Sequence, residues 1–175
     1  MGKTWVVAGV FVLAATGFGL WWYAFEPTAP RLNRDLEQRL EPVVYAYLQE
    51  QPATGGSLPA GRWFCAGDVF ESQYPDQPLL GIRVLCQEYE RRGDALVTGT
   101  ATSGPRLVRL QDGRVMEHSL PPDGAGYSTW LDRALTAGGR AALRRLESRP
   151  APDTDAAARQ AFGLPPDAPV RHPTG

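Results

Sequence analysis

At 175 residues the chain has room for one domain of ordinary size with appendages. Apolar residues make up 43% and charged residues 21%, a globular composition, while a net charge of -1 gives no electrostatic reason to propose a nucleic acid partner. Gly and Pro together reach about a fifth of the residues, short of a low-complexity chain, and Lys3 is the only lysine, so a single arginine here says little about function.

From Trp5 to Phe25 there is no charged residue. As a helix this segment spans roughly 31 Å, close to the roughly 30 Å of a bilayer core. Trp5 opens it, and Trp21, Trp22 and Tyr23 cluster at its far end as an interfacial belt does. Lys3 lies before it, so residues 1–25 read as a single-pass anchor in the cell membrane with the body of the protein outside the cytoplasm. A cleaved signal peptide is the rival reading, with Ala15 or Gly17 near the cleavage site and a secreted product.

Residues 26–30 form a Pro-containing stalk, and residues 31–147 are assigned to an extracytoplasmic α+β domain. Leu32, Leu36, Leu40, Val44 and Tyr47 or Leu48 recur at helical spacing, one apolar stripe on a charged helix that Pro42 is expected to kink or divide. Pro52 to Gly61 is loop by composition. Arg62 to Glu90 then reads as a hairpin around Pro75 and Asp76. That symmetry sets Cys65 opposite Cys86, Asp68 opposite Arg83 and Val69 opposite Ile82, so an ion pair and an apolar pair support the same register.

A turn at Arg92 and Gly93 leads to a third strand, Ala95 to Thr102, with Gly99 beside Cys86 and Leu96 beside Tyr89. Ser103 to Pro105 is expected to break it, Arg106 to Leu110 resumes, and Asp112-Gly113 turns the chain into Arg114 to Leu120 with His118 opposite Leu107. The fold expected is a helix packed on an antiparallel meander of four to five strands. A C-terminal helix follows, capped by Ser128 or Thr129 and weakened at Gly138-Gly139. Residues 148–175, rich in Pro, Asp and Ala, are expected to be mostly without fixed structure, with at most one short helix around Ala156 to Phe162.

Outside the cytoplasm, Cys65 and Cys86 read first as a structural disulfide, then as buried thiols, and last as a redox pair, since their spacing is not Cys-x-x-Cys. Asp68, Arg83, Glu88 and His118 are the acid/base candidates, with an ordinary cross-strand pair and a satisfied sheet histidine as the plainer readings. Arg140, Arg144 and Arg145 lie on a basic segment that would meet anionic lipid or a partner, or simply face solvent. Two cysteines and one distant histidine make no zinc set, and neither a metal site nor a cofactor motif is found in the sequence.

In its order of elements, helix then meander then helix, the segment from Leu32 to Leu135 resembles the cystatin-like and nuclear-transport-factor-like folds. FCAGDVFES, VLCQEYE, TSGPRL and PPDGAGY look like small secreted or membrane-tethered bacterial domains. The resemblance implies a curved sheet wrapped around a long helix and carries over no functional residue. With no catalytic constellation, the leading expectation is a non-catalytic binding or accessory module of the cell envelope, held by its N-terminal helix and meeting an envelope protein. A small hydrolase or isomerase with a pocket between helix and sheet is the first alternative, and a structural protein of the membrane surface the second.

Overall fold

The computed structural model describes residues 28–52 and 54–172. The proposed anchor, with Trp5, Trp21, Trp22 and Tyr23, lies outside them, and no helix of the described residues is long and apolar enough to cross a membrane. The domain is α+β, with four helices and a mixed sheet of five strands among the described residues.

Helix α1, Arg34–Glu50, starts at Asn33, whose side chain accepts from the Asp35 backbone N–H at 2.8 Å. Asp35 and Glu37 in its first turn oppose the positive end of the helix dipole. Pro42 sits inside a single assigned helix, exposed, rather than dividing it in two. The stripe behaves as its spacing predicts: Leu40, Val44 and Leu48 are buried against the sheet. Each such side chain withdrawn from water contributes about 1.5–3 kcal/mol.

Strands β1, Arg62–Gln73, and β2, Leu79–Arg92, pair antiparallel with Cys65 beside Cys86, Asp68 beside Arg83 and Val69 beside Ile82. The cysteines are joined in a disulfide, buried under α1, with Cα atoms 4.1 Å apart. A bulge between Val69 and Glu71 shifts the register by one residue toward the turn. It sends Phe70 to Leu135 and Leu143 on the opposite face of the sheet.

Strand β3, Ala95–Gln111, is one continuous strand where the sequence suggested two, so the meander has four strands. The turn before it is Gly93-Asp94, flanked by Arg92 and Ala95, and a second irregularity follows Gln87. Leu96 therefore lies beside Arg91, Thr98 beside Tyr89 and Thr102 beside Cys86, correcting the expected partners. Asp112 and Gly113, at φ 50° and 71°, make the tight turn their identities call for. Strand β4, Arg114–Ser119, then returns with His118 beside Val108, one residue from the expected place.

Beyond the meander the chain covers the second face. Helix α2, Gly126–Ala134, has no side-chain cap from Ser128 or Thr129, and helix α3, Ala137–Glu147, begins afresh at Thr136, whose hydroxyl accepts from Gly139 N–H at 2.9 Å. Gly138 and Gly139 serve close approach: a Cβ on Gly138 would stand 2.1 Å from the Thr28 carbonyl oxygen, and one on Gly139 2.1 Å from Glu71 Oε2. The Pro-rich segment is structured too. Helix α4, Asp155–Ala161, and strand β5, Val170–Arg171, bring Ala158, Leu164 and Ala168 onto Phe64, Tyr89 and Leu96. β5 pairs parallel with β3 at Leu96 and Val97. Helices on both faces depart from a sheet wrapped around one helix.

Because the disulfide closes a loop between residues 21 apart in sequence, replacing both cysteines by alanine is expected to lower stability by about 3 kcal/mol in the chain-entropy description. Denaturant unfolding of the oxidised protein against the double variant measures the difference.

Candidate functional site

The site is built on the one long strand. The Leu110 backbone N–H donates to the Pro78 carbonyl beside β2, at 2.7 Å, and strand groups alternate in direction. Even-numbered residues of β3 from Thr102 to Leu110 thus turn their peptide groups toward β2. Ala101, Ser103 and Pro105 turn theirs to the far edge. On that edge β5 pairs only at Leu96 and Val97, and β4 begins only at Leu107. Thr98 is held by Arg171 and His172, and the Gly99 and Thr100 backbone groups by Gln87 and Glu88, so residues 101–106 lie open between the two strands on the same edge, roughly 20 Å at about 3.3 Å per residue. Pro105 is accommodated in mid-strand because its missing N–H falls on this open side.

The gap opens into a cleft of about 830 Å³. Thr54 borders it on the α1 face, Leu120 to Pro122 close one end, and Tyr127, Arg149 and Pro152 border it on the face of α2 and α3. Ala101 and Ser103 are exposed within it. Arg106 lines it as well, on the α1 face beside Ile82, and is only 2% exposed. Its Nη2 donates to Thr102 Oγ1 at 2.9 Å, and its Nη1 has no hydrogen-bond partner among the described residues. Burial pushes this guanidinium below its ordinary pKa.

The four acid/base candidates do not converge. Arg83 Nη2 meets Asp68 at 2.9 Å and the Pro150 carbonyl at 2.9 Å, while its Nη1 donates to the Leu146 carbonyl and to that of Arg149 at 3.3 Å. It closes the C-terminal end of α3, where backbone oxygens are left over. His118 lies on the α1 face, 3.4 Å from the Tyr47 hydroxyl, and burial together with the nearby Arg106 holds its imidazole below the usual value.

Glu88 is spent on structure. Its carboxylate accepts from the backbone N–H groups of Ser57 at 2.7 Å, Leu58 at 3.2 Å and Thr100 at 3.1 Å, and from the Ser57 hydroxyl at 3.1 Å. Side chains on Gly56, Gly61 or Gly99 would strike it, at 2.4, 2.1 and 2.3 Å. Burial alone would raise its pKa, but these bonds outweigh burial and hold it below the carboxylate range. Two further buried acids were not singled out by sequence. Glu37 takes Arg31 and the Ser72 hydroxyl, and Glu71, pushed up by burial, takes the Thr136 hydroxyl at the start of α3. Nothing in the sequence marks Glu37, which stands among Asp35, Gln38 and Arg39, and Glu71 is marked only by following Val69 and Phe70.

Between α1 and the sheet the space is filled by Val44, Leu48, Leu80, Ile82, Val84 and the disulfide. The pocket that the hydrolase or isomerase reading requires is not found there among the described residues. Of the basic segment, Arg140 turns back to Asp132 at 3.5 Å and the Leu135 carbonyl at 2.8 Å. Arg144 is exposed, and Arg145 borders a shallow hollow with Arg31, Glu41 and Asp68.

No protein-family model, curated protein or solved structure matches the chain. The likeness to cystatin-like and nuclear-transport-factor-like folds therefore rests on element order alone.

Since the Glu88 carboxyl is held down in the folded state, its share of stability is complete above the ordinary carboxylate value and is lost as pH falls through the lower folded one. Glu88→Gln is expected to cost about 2 kcal/mol near neutrality. The variant should also lose less than the wild type between about pH 7 and about pH 3, read by urea unfolding at each pH.

Proposed function

We propose that this protein is a membrane-anchored, extracytoplasmic module that binds a partner by taking one of its extended segments as an added strand on β3. The observation that carries this reading is the exposed, unpaired edge at Ala101 and Ser103, set in a cleft bordered on both faces. An unpaired edge supplies main-chain donors and acceptors, and bordering side chains supply selectivity. The edge is recessed between β4 and β5, so the equally recessed β3 of a second copy does not reach it, whereas a free extended segment does. The placement outside the cytoplasm is supported by the disulfide and by the uncharged run from Trp5 to Phe25.

Ser103→Pro removes an outward N–H without touching the ladder to β2. Loss of a partner that the wild type retains from solubilised membranes, with the urea midpoint unchanged, is the expected result, and equal retention by both forms overturns strand addition. A reporter enzyme that is active only outside the cytoplasm, fused after Gly175, is expected to be active. Its silence, with activity from a cytoplasm-only reporter at the same point, reverses the proposed topology.

A further inference from the structure

A guanidinium carries five N–H donors and is costly to withdraw from water without an anion. Arg106 is nine-tenths buried and more, yet among the described residues its one hydrogen bond is to the neutral hydroxyl of Thr102, and Nη1 is unused. The buried Arg83, by contrast, has Asp68 and three carbonyls. The acids that line the cleft do not serve Arg106: neither Asp123 nor Glu147 forms an ion pair with it, and Glu147 accepts from the Tyr127 hydroxyl on the opposite face at 3.2 Å. Between Thr102 and Arg106 stands Gly104, where an added Cβ would meet nothing within 4 Å. The cleft is open at Gly104, between the two residues, while Nη1 itself is closed to water.

We infer that the segment accepted by β3 carries an aspartate or glutamate whose carboxylate enters this space and bonds Arg106. The inference rests on the strand-addition reading above. Residues directly opposite one another on paired strands share a face. Residues of an incoming strand beside Thr102, Gly104 and Arg106 therefore project toward α1, where the guanidinium lies. A carboxylate there receives a charge-assisted bond from the guanidinium once it turns from Thr102 toward the cleft, and a lysine in the same place meets a like charge. Main-chain pairing along Ala101 and Ser103 sets where the segment lies, and Arg106 chooses among segments that can lie there.

The test uses peptides of about eight residues, alternating threonine and valine, that differ only in a central glutamate, glutamine or lysine. They are titrated into the full chain in detergent, with the backbone amide signals of Ala101 and Ser103 followed by NMR. All three arms are read on the wild type, so the result does not depend on any variant folding. The glutamate peptide is expected to bind about tenfold more tightly than the glutamine peptide, and the lysine peptide most weakly. Arg106→Met is expected to remove the preference, and Arg106→Lys to reduce it while keeping the order. Equal affinity for the glutamate and glutamine peptides, with both amide signals moving, overturns the carboxylate inference and leaves strand addition standing. Failure of every peptide to move Ala101 and Ser103 overturns strand addition itself, and this inference with it.

Discussion

Once Cys65 is bonded to Cys86, the neighbouring rungs of the first hairpin are determined, and with them the side of the sheet each residue looks toward. A slip of one residue would send Ile82 and Val84 to the α3 face and Arg83 under α1. The bulge beside Phe70 then turns Phe70 and Glu71 together toward α3 at the far end of the same strand. Two helical layers are thus addressed by one hairpin, and β3, which pairs with β2 along most of its length, inherits that orientation.

Most of the charge withdrawn from solvent in this fold is used to tie irregular chain to the sheet. Glu37 holds Arg31 and Ser72 where the stalk meets β1, and Glu88 holds the loop at Ser57 and Leu58. Glu71 holds the start of α3 and Arg83 its end. Glu88 and Arg83 each satisfy several backbone groups that no helix or strand serves, which offsets the cost of removing a charge from water, while Glu37 and Glu71 accept from side chains. Arg106, like Glu71, has a single hydroxyl partner among the described residues, but of the two only Arg106 lines the cleft. The difference between a committed charge and an available one separates the scaffold of this domain from its candidate site.

Much of the first hairpin is legible in the residues, because the cysteines, the Asp68 and Arg83 charges and the Val69 and Ile82 side chains all require one register. The turn at Asp112-Gly113 is legible for the same local reason. The continuity of β3 is not, since the cost of Pro105 depends on which way its absent N–H points, a property of the neighbouring strands rather than of the residue. Nor is the packing of the last segment, where Ala158, Leu164 and Ala168 are small or widely spaced among prolines and acids, and their value depends on Phe64 and Tyr89 far back in the chain. The site falls between these cases. TSGPRL is visible in sequence as a break, yet it is the gap between β4 and β5 that turns it into an edge.

Pro105 has a consequence for timing. A strand arriving on this edge finds two N–H groups, at Ala101 and Ser103, before it reaches a residue that can only accept, so few rungs can be laid down. Contacts with few rungs dissociate readily, and affinity differences between related complexes lie mostly in how quickly they come apart. A docking edge truncated in this way favours brief visits and repeated exchange of occupants over permanent capture, and it gives stray hydrophobic strands little on which to nucleate an aggregate.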